Sequence, residues 1–365
     1  MKYWRGYLVA AILAGAGWVL TQFAATYAEF VDMIYPYMTR LIQDGLATWS
    51  SETALCLWQL GLLIMVVVVL ATVVLMIALK WNPVQWFGWV LAAVSVVFLL
   101  NTGIYGLNAY AGDLSDDIHL QVMAPNATQM EKATTYFRDK ANELAQTLER
   151  DAEGNLVYPS LEELTQEAGE GFKVLVYDKY MAVFAGSRLP VKELQWSDWY
   201  TSQGMTGVTV ALTGESAVNP QVPAVGQPFA ICHEMAHRMC IANDRDANLA
   251  AYLACMNNPS EYYQYSAYLA AFRYCFNTLQ TSTTSTGRAA VQRVKSGMTD
   301  LLTRDLESYS SFFEDHEDPD MDSQVSNLLI SWYLQEIALP PQVEDEDKFD
   351  PMDETQVDLP GLAGK

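Results

Sequence analysis

Three long apolar stretches near the N-terminus constrain this chain more than any other feature. They run from about residue 7 to 28, from 55 to 79 and from 84 to 107, and the second and third contain no charged residue. Each approaches or exceeds the ~20 residues with which a helix crosses a hydrocarbon layer of about 30 Å. A helix also satisfies its own backbone groups, as such a layer requires. The sequence therefore predicts an α-helical membrane anchor of three transmembrane helices within residues 1–107.

The basic residues beside these stretches predict how the anchor is oriented. Lys2 and Arg5 precede the first stretch, and Lys80 lies between the second and the third. Because positively charged flanks stay on the cytoplasmic side, we expect the segment 29–54 and everything after the third span to lie outside the cytoplasmic membrane. Alternatively, the first stretch is a signal peptide that is cleaved among the small residues at 24–28. Both interpretations export the C-terminal part of the chain.

The part after the third span carries the whole net charge. The chain has 43 acidic and 21 basic residues and a net charge of −22, whereas the acidic and basic residues before residue 108 cancel. Such an acidic surface repels phosphate backbones, which argues against a nucleic-acid partner. Aromatic residues make up 12% of the chain, enough for a large core. We therefore expect a folded domain over 108–339 and, from its Pro, Asp and Glu content, a flexible acidic tail over 340–365.

Spacing and turn residues predict that the exported domain is mainly α-helical, of the α+β class. Apolar residues three and four apart indicate amphipathic helices, and short runs rich in Val, Leu and Thr indicate strands. We expect helices at 128–150, 161–168, 228–240, 245–257, 260–281, 286–314 and 322–338, and strands at 172–177 and 204–212.

The most informative motif is His233-Glu234-Met235-Ala236-His237, an H-E-x-x-H pattern within a predicted helix. Because residues four apart share a helix face, His233 and His237 can offer two imidazole nitrogens to one Zn²⁺ ion. Glu234 is then placed to act as a general base on zinc-bound water. The alternative is a chance match on a packed helix. The chain has only four histidines, two of them in this motif, which favours a metal site.

A catalytic zinc site usually has a third protein ligand. Asp244 and Asp246 follow His237 by seven and nine residues, where the next helix is predicted to begin. Either carboxylate can fold back to the metal. The other reading is that one of them lies at the start of the helix and interacts with its positive end, where Asn243 or Asp244 is the expected N-cap.

Several further segments resemble a family of bacterial membrane proteins that is catalogued as a domain of unknown function and regarded as zinc metallopeptidases. The residues that carry the resemblance are Gly204-Met205-Thr206-Gly207, Thr213-Gly214-Glu215-Ser216-Ala217-Val218-Asn219, Pro228-Phe229-Ala230-Ile231-Cys232 with the motif after it, Asp246-Ala247-Asn248-Leu249, Tyr252-Leu253-Ala254-Cys255, Tyr263-Gln264-Tyr265-Ser266-Ala267-Tyr268-Leu269, Arg273-Tyr274 and Asn277. It also covers the three spans and Tyr35-Pro36, and extends to about Leu334.

The resemblance implies a zincin-like fold that binds zinc and hydrolyses peptide bonds. It implies that His233 and His237 are ligands and that Glu234 is the catalytic base. By the register of the wider zincin group, the third ligand is Asp244, and Asn248 contacts one of the metal ligands rather than the metal itself. We therefore prefer Asp244 over Asp246.

The chain departs from the family pattern at three places. The family has Glu where this chain has Asp244, and Asp is one methylene shorter. The family has Gly where this chain has Cys240; since Gly suits a helix end that needs a positive φ, its loss predicts a different turn. The family also ends in a Ser-Tyr-Gly-Arg segment and an apolar helix, whereas this chain ends in an acidic tail. If that Tyr or Arg stabilises the oxyanion, this chain needs another donor.

A tyrosine-rich helix can supply such a donor. Its candidates are Tyr262, Tyr263, Tyr265, Tyr268, Arg273 and Tyr274. For any single tyrosine, packing in the core with a hydrogen-bond partner is the favoured interpretation.

The remaining histidines and the cysteines have plainer interpretations. His119 and His316 lie in polar surroundings, and we interpret 315–318 as a solvated acidic loop rather than a cation site. We interpret the cysteines after the third span as buried thiols rather than as two disulfides. They are Cys232, Cys240, Cys255 and Cys275.

The favoured function is that of a multi-pass, membrane-anchored zinc metallopeptidase whose large C-terminal domain acts outside the cytoplasmic membrane. Its expected partners are the lipid bilayer and a substrate that is a peptide or a cell-wall amide. The alternative is a catalytically inactive binding or sensing module that keeps the zincin fold at the cell surface. The altered third-ligand region favours the alternative, and the intact Glu234 favours the enzyme, because a structural site needs no general base.

Overall fold

The computed structural model describes residues 2–179 and 181–338, and this part of the chain is mostly helical. The predicted tail over 340–365 lies outside the described residues. The helices are α1 (Arg5–Thr26), α2 (Ala28–Ser50), α3 (Leu57–Ala78), α4 (Pro83–Ile104), α5 (Leu114–Asp117), α6 (Ala127–Thr147), α7 (Leu161–Glu167), α8 (Gly169–Tyr177), α9 (Ser197–Thr201), α10 (Gln227–Arg238), α11 (Asp244–Met256), α12 (Glu261–Gln280), α13 (Ser285–Ser296), α14 (Asp300–Ser311) and α15 (Pro319–Tyr333). The strands are β1 (Lys192–Glu193), β2 (Gly207–Val210) and β3 (Glu215–Val218).

Three helices are long and apolar enough to cross a membrane: α1, α3 and α4. They coincide with the three predicted spans. α1 and α4 pack closely through small residues, since a Cβ on Gly6 would lie 2.5 Å from the carbonyl carbon of Gly88. Close approach at small residues is typical of helices that pair in a bilayer. α3 stands apart, and Gln59 is its one buried residue. Such an apolar exposed surface suits a lipid environment.

The segment predicted as an outer loop, residues 29–54, instead forms the 23-residue helix α2. It packs on the domain that follows the spans: Arg40 Nε donates to the carbonyl of Met239 at 3.0 Å, and Gln43 Nε2 to that of Ala211 at 3.1 Å. The buried face of α2 includes the polar residues Thr39 and Gln43. A face that mixes polar and apolar residues hides the amphipathic pattern, so spacing alone did not predict this helix.

A three-stranded sheet lies beside α10, in the order β1-β3-β2. β2 pairs antiparallel with β3, from Gly207 opposite Val218 to Val210 opposite Glu215. The structure confirms the centre of the strand predicted at 204–212. β3 was not predicted, because all four of its residues are buried and its pattern therefore does not alternate. β2 is an edge strand, and one of its sides pairs with no other strand among the described residues.

The predicted strand at 172–177 is wrong, because this segment belongs to helix α8. Phe172 and Leu175 are buried three residues apart, which is the spacing of one helix face. Gly171 lets α8 approach α11 so closely that a Cβ there would lie 1.9 Å from the carbonyl oxygen of Ala254. Packing against α11 thus outweighs the strand preference of the Val-Leu-Val run.

The predicted helix at 286–314 is interrupted, and the chain forms α13 and α14 instead. α13 ends at Gly297, and Thr299 then caps α14 by accepting a hydrogen bond from the backbone N–H of Leu302 at 3.3 Å. A hydroxyl that caps a new helix makes the break favourable. The other predicted helices are confirmed within a few residues at their ends.

A buried ion pair joins the sheet to the first turn of α3. Glu215 has a fully buried side chain, and its carboxylate lies 2.5 Å from the Lys192 ammonium. It also accepts the backbone N–H groups of Leu57 at 2.8 Å and Trp58 at 2.9 Å, which are free donors at the start of a helix. One carboxylate therefore both neutralises Lys192 and caps the apolar helix α3.

The main core lies where α10, α11 and α12 meet α6 and α15, and it surrounds the predicted motif. Cys232, Cys255 and Cys275 are free and buried in this core, and Cys240 is free and buried outside it, which agrees with their interpretation as buried thiols. Cys56 is also free and buried, but it belongs to a separate small cluster with Tyr200 and Ala217. Helix α2 precedes residue 107 but packs on the domain that follows it. The two parts of the chain on either side of the predicted boundary at 107 are therefore in contact.

Candidate metal centre

Helix α10 carries both histidines of the motif and ends in a turn that orients one of them. Cys240 has a φ of +70°, and its N–H bonds to the carbonyl of His237 at 2.9 Å, while the N–H of Ile241 bonds to that of Ala236 at 3.2 Å. These two bonds form a Schellman turn, which normally uses Gly at the positive φ. The expectation that losing this Gly changes the turn is wrong, because Cys240 adopts the left-handed conformation itself.

The structure brings His233, His237 and Asp244 together at one point. The Nε2 atoms of the two histidines lie 3.1 Å apart. Asp244 Oδ1 lies 3.2 Å from His237 Nε2 and 3.7 Å from His233 Nε2. Both imidazoles are largely buried, with 14% of each side chain exposed, whereas Asp244 is 66% exposed. Asn243 caps α11 by accepting from the N–H of Arg245, so Asp244 is not needed for that task.

Hydrogen bonds at the Nδ1 atoms of the two imidazoles determine which ring nitrogens carry protons. His237 Nδ1 lies 2.8 Å from the carbonyl oxygen of Ile241, and His233 Nδ1 lies 3.0 Å from Oδ1 of Asn248. Both oxygens are acceptors, so each Nδ1 is the protonated nitrogen. The Nε2 lone pairs then face each other and Asp244 Oδ1. Three acceptor atoms thus converge, which is an arrangement that a cation stabilises.

The separations within this cluster fit a zinc ion. Zinc–nitrogen and zinc–oxygen bonds are about 2.0–2.2 Å long, so two ligand atoms of a tetrahedral site lie about 3.3 Å apart. The three separations here are 3.1, 3.2 and 3.7 Å. Two imidazoles and one carboxylate also form a donor set typical of catalytic zinc sites, which leave a fourth position open.

The closeness of these side chains shifts the pKa values of His237 and Asp244. Burial lowers the pKa of His237, but the contact with Asp244 and the charge of Glu234 outweigh burial, and the pKa lies above its usual value. The two histidines hold the pKa of the Asp244 carboxyl well below its usual range. Asp244 is therefore ionised at neutral pH, and in the absence of a metal a proton on one imidazole relieves the repulsion. Metal binding would displace that proton.

Asp246, the other candidate ligand, lies outside the cluster. Its Oδ2 accepts the backbone N–H of Leu114 at 3.0 Å, and its Oδ1 accepts from Arg245 Nε at 2.9 Å. Arg245 also lies 2.8 Å from Asp113. Asp246 thus holds the short helix α5 against the start of α11, which gives it a structural role.

Glu234 lies beside the cluster with its carboxylate turned toward β2. It is 3% exposed, and its Oε2 accepts a hydrogen bond from Thr209 Oγ1 at 2.7 Å. Gly207 leaves the space that this carboxylate needs, since a Cβ there would lie 2.7 Å from Glu234 Oε1. Ser216 Oγ donates to the backbone carbonyl of Glu234 at 2.9 Å, and Thr209 Oγ1 lies 3.0 Å from the same oxygen. Thr209 of the edge strand β2 thus fixes the side chain of the proposed base, and Ser216 of the central strand β3 fixes its backbone.

The cluster opens into a cleft of about 640 Å³ between β2 and the helices α12, α14 and α15. The histidines, Glu234 and Asp244 line its floor, and Tyr274, Tyr309 and Arg273 line a wall. His316 lines the cleft too, although the sequence suggested only a solvated loop. His119 does not line it. The volume lies within the range of sites that bind small ligands or a few residues of a peptide.

Most of the tyrosine-rich helix packs in the core, as the plainer interpretation predicted. Tyr263 donates to the carbonyl of Leu164, and Tyr265 donates to Asp305 at 2.5 Å. The ring of Tyr262 packs on Tyr158, and that of Tyr268 packs on Tyr136. Of the candidate donors on this helix, Tyr274 and Arg273 reach the cleft. Core and cleft faces of α12 carry the same residue type, so the sequence could not tell them apart.

Several cleft residues were not identified from the sequence, among them Tyr105, Thr209 and Tyr309. Tyr105 follows α4 directly and donates a hydrogen bond of 2.9 Å to the carbonyl of His237. Thr209 holds Glu234, and Tyr309 packs beside Arg273. Tyr105 and Tyr309 carry no motif and come from distant parts of the chain. Thr209 lay within the predicted strand, and its position on the face toward α10 was the one available signal.

One family model matches this chain, described as a protein of unknown function, DUF3810, and it spans residues 30–337. The chain belongs to the DUF3810 family. This confirms the resemblance to a family of unknown function, whose description names no activity. The DUF3810 match contains every residue of the cluster and the cleft. No curated protein and no solved structure matches the chain.

Proposed function

We propose that this member of the DUF3810 family is a membrane-anchored, zinc-dependent metallopeptidase with a zincin-like domain. The observation that supports this most strongly is the convergence of His233 Nε2, His237 Nε2 and Asp244 Oδ1 beside the buried Glu234. A site that only stabilised the fold would use a fourth protein ligand and would need no carboxylate held at its side.

In the proposed reaction Glu234 takes a proton from the attacking water and then passes it to the leaving amine. Thr209 holds the carboxylate in position by donating to Oε2 at 2.7 Å. Zinc bound by the cluster would make the water more acidic and polarise the substrate carbonyl. Asn248 and the Ile241 carbonyl keep the two imidazoles in the tautomer that exposes Nε2.

The cleft offers a binding mode for an extended peptide. β2 is the edge strand of its sheet and lines the cleft, so a substrate can pair with its open side through main-chain hydrogen bonds. Tyr274 lines the opposite wall, and burial raises the pKa of its phenol, which therefore stays protonated at neutral pH. We assign Tyr274 as the candidate donor to the oxyanion.

The proposed location is the outer face of the cytoplasmic membrane. Lys2, Arg5 and Lys80 lie at one end of the three apolar helices, and the cleft lies at the other end, beside Tyr105. Positively charged flanks favour the cytoplasmic side. A cell-wall amide is chemically equivalent to a peptide bond in this mechanism, and substrate profiling would separate the two.

The test is the metal content and peptide cleavage of the full chain in detergent, compared with two variants. We expect about one zinc per chain, no zinc in His237→Ala, and zinc without cleavage in Glu234→Gln. A mixed-sequence peptide library read by mass spectrometry reports cleavage at any sequence that the cleft accepts. Retained cleavage in Glu234→Gln would contradict the mechanism. Zinc without cleavage in the unaltered chain would favour the binding or sensing module.

A further inference from the structure

Arg273 lies in the wall of the cleft with few of its hydrogen bonds made. Its side chain is 92% buried, with 8% exposed, and it comes from α12. Its Nε is enclosed and has no hydrogen-bond partner among the described residues. The closest ion-pair partner is Asp322, whose Oδ1 lies 3.8 Å from Nη1, beyond hydrogen-bond distance. A guanidinium carries five N–H donors, so this one is poorly satisfied where it stands.

Three aromatic rings hold the guanidinium in place. Its central carbon lies 4.5 Å from the ring centre of Tyr274, 4.7 Å from that of Phe313 and 5.6 Å from that of Tyr309. Such contacts attract the cation and fix its plane, but they accept no strong hydrogen bond from its edge. The arginine is therefore positioned in advance, while its two terminal amino groups remain available for a planar anion.

This arginine lies in a cleft whose other charged residues are acidic. Among the described residues that line the cleft, Arg273 is the one Lys or Arg, whereas five are acidic: Glu234, Asp244, Glu317, Asp318 and Asp322. Asp322 is itself engaged, since its Oδ2 accepts from Asn277 Nδ2 at 2.8 Å. A chain with a net charge of −22 repels acidic ligands in general, so a single buried cation beside the proposed site can select for one anionic group.

We propose that Arg273 binds a carboxylate of the peptide substrate in a paired, fork-to-fork contact. This rests on the proposed peptidase function and adds a substrate preference to it. Carboxylates are the anionic groups that peptides carry, and the planar guanidinium matches them with two parallel hydrogen bonds. The carboxylate comes from the C-terminus of the peptide or from an Asp or Glu side chain, and the test distinguishes these sources.

The experiment measures binding rather than turnover. The full chain carrying Glu234→Gln is placed in lipid nanodiscs, loaded with zinc, and mixed with four fluorescein-labelled peptide pools of randomised sequence. The pools end in a free carboxylate or a carboxamide, and each is made with Glu or with Gln at one fixed internal position. Fluorescence anisotropy gives the affinity for each pool, and melting curves with zinc analysis show that each variant is folded and loaded.

We expect the acid form to bind about tenfold or more tightly than its neutral match in one of the two comparisons, because a charge-assisted hydrogen bond contributes about 1.5–3 kcal/mol. Arg273→Met should reduce this ratio to near one, and Arg273→Lys should give an intermediate ratio. Asp322→Asn removes a negative charge near Arg273 that would repel an acidic ligand, and it should raise the ratio. This variant tests the proposal even if Arg273→Met fails to fold.

The outcomes separate the two proposals. Equal binding of all four pools by the zinc-loaded chain overturns the role of Arg273 and leaves the peptidase proposal intact. An acid preference that persists in folded Arg273→Met also overturns it, because another group would then bind the carboxylate. If no pool binds although zinc is present, both the peptide substrate and the Arg273 proposal are overturned.

Discussion

The hydroxyl of Tyr105 donates a hydrogen bond of 2.9 Å to the carbonyl oxygen of His237. Tyr105 is the residue directly after the apolar helix α4, and His237 is one of the two histidines of the cluster. The same carbonyl accepts the N–H of Cys240 in the turn that ends α10. One residue at the end of a candidate membrane helix is thus tied to the backbone of a candidate metal ligand.

Tyr105→Phe removes this bond and keeps the ring. We expect a loss of about 0.5–1.5 kcal/mol in stability, because the His237 carbonyl keeps its bond to Cys240 and is not left unpaired. The measurement is chemical denaturation of the full chain in detergent. Tyr27→Phe is the matched control, since Tyr27 is exposed and its hydroxyl makes no hydrogen bond among the described residues. Equal stability of the two variants would mean that the bond contributes nothing.

Removing each of the two candidate carboxylates in turn tests which one is the third metal ligand. Asp244→Ala should lose stoichiometric zinc, because Asp244 Oδ1 lies within 3.7 Å of both Nε2 atoms. Asp246→Ala should keep zinc but lose about 1–3 kcal/mol of stability, because the buried Leu114 N–H loses its acceptor. Elemental analysis and denaturation curves give the two quantities. The opposite pattern, with zinc lost only in Asp246→Ala, would show that the wrong carboxylate has been chosen.

Asn248 should act on zinc affinity through His233. Asn248→Ala removes the acceptor 3.0 Å from His233 Nδ1, and removing such a supporting group typically weakens metal binding about 10–100-fold. Asn248→Asp offers a carboxylate oxygen at the same place and should restore affinity. Competition with a chromogenic chelator measures both values. Unchanged affinity in Asn248→Ala would mean that His233 is oriented by other contacts.

Thr209 should affect turnover without affecting the metal. Thr209→Val keeps the shape of the side chain but removes the donor to Glu234 Oε2, so we expect full zinc content and a peptide cleavage rate about 10–100-fold lower. Thr213→Val is the control within the same hairpin, because its hydroxyl bonds to the carbonyl of Val210. Equal rates in the two variants would contradict the role of Thr209 in positioning the base.

The sequence predicted the parts of this molecule that depend on local spacing. The three apolar helices, the motif helix and the start of α11 at residues 243–244 follow from residues within a few positions of one another, whereas the choice of Asn243 over Asp244 as the cap came from the structure. Asp244 was preferred over Asp246 through the resemblance rather than through geometry, and the structure places Asp244 in the cluster.

The remainder depends on contacts between distant segments. Helix α2 buries polar residues against partners about 170 positions later, as in the bond from Gln43 to Ala211, so its own pattern is uninformative. The strand expected at 172–177 became a helix because Gly171 permits close packing on Ala254. The cleft wall joins Arg273 of α12 to Tyr309 of α14 and to Phe313 just after α14, and the segment with Tyr309 and Phe313 carries no motif.

The buried carboxylate of Glu215 has a consequence for where this molecule can act. It fastens the sheet to the first turn of α3, while Tyr105 fastens α10 to the end of α4. With these helices in a bilayer, the floor of the cleft stands at a set height above the lipid headgroups and cannot swing away from them. In the proposed peptidase, this fixed height would restrict cleavage to bonds that reach one distance from the membrane surface.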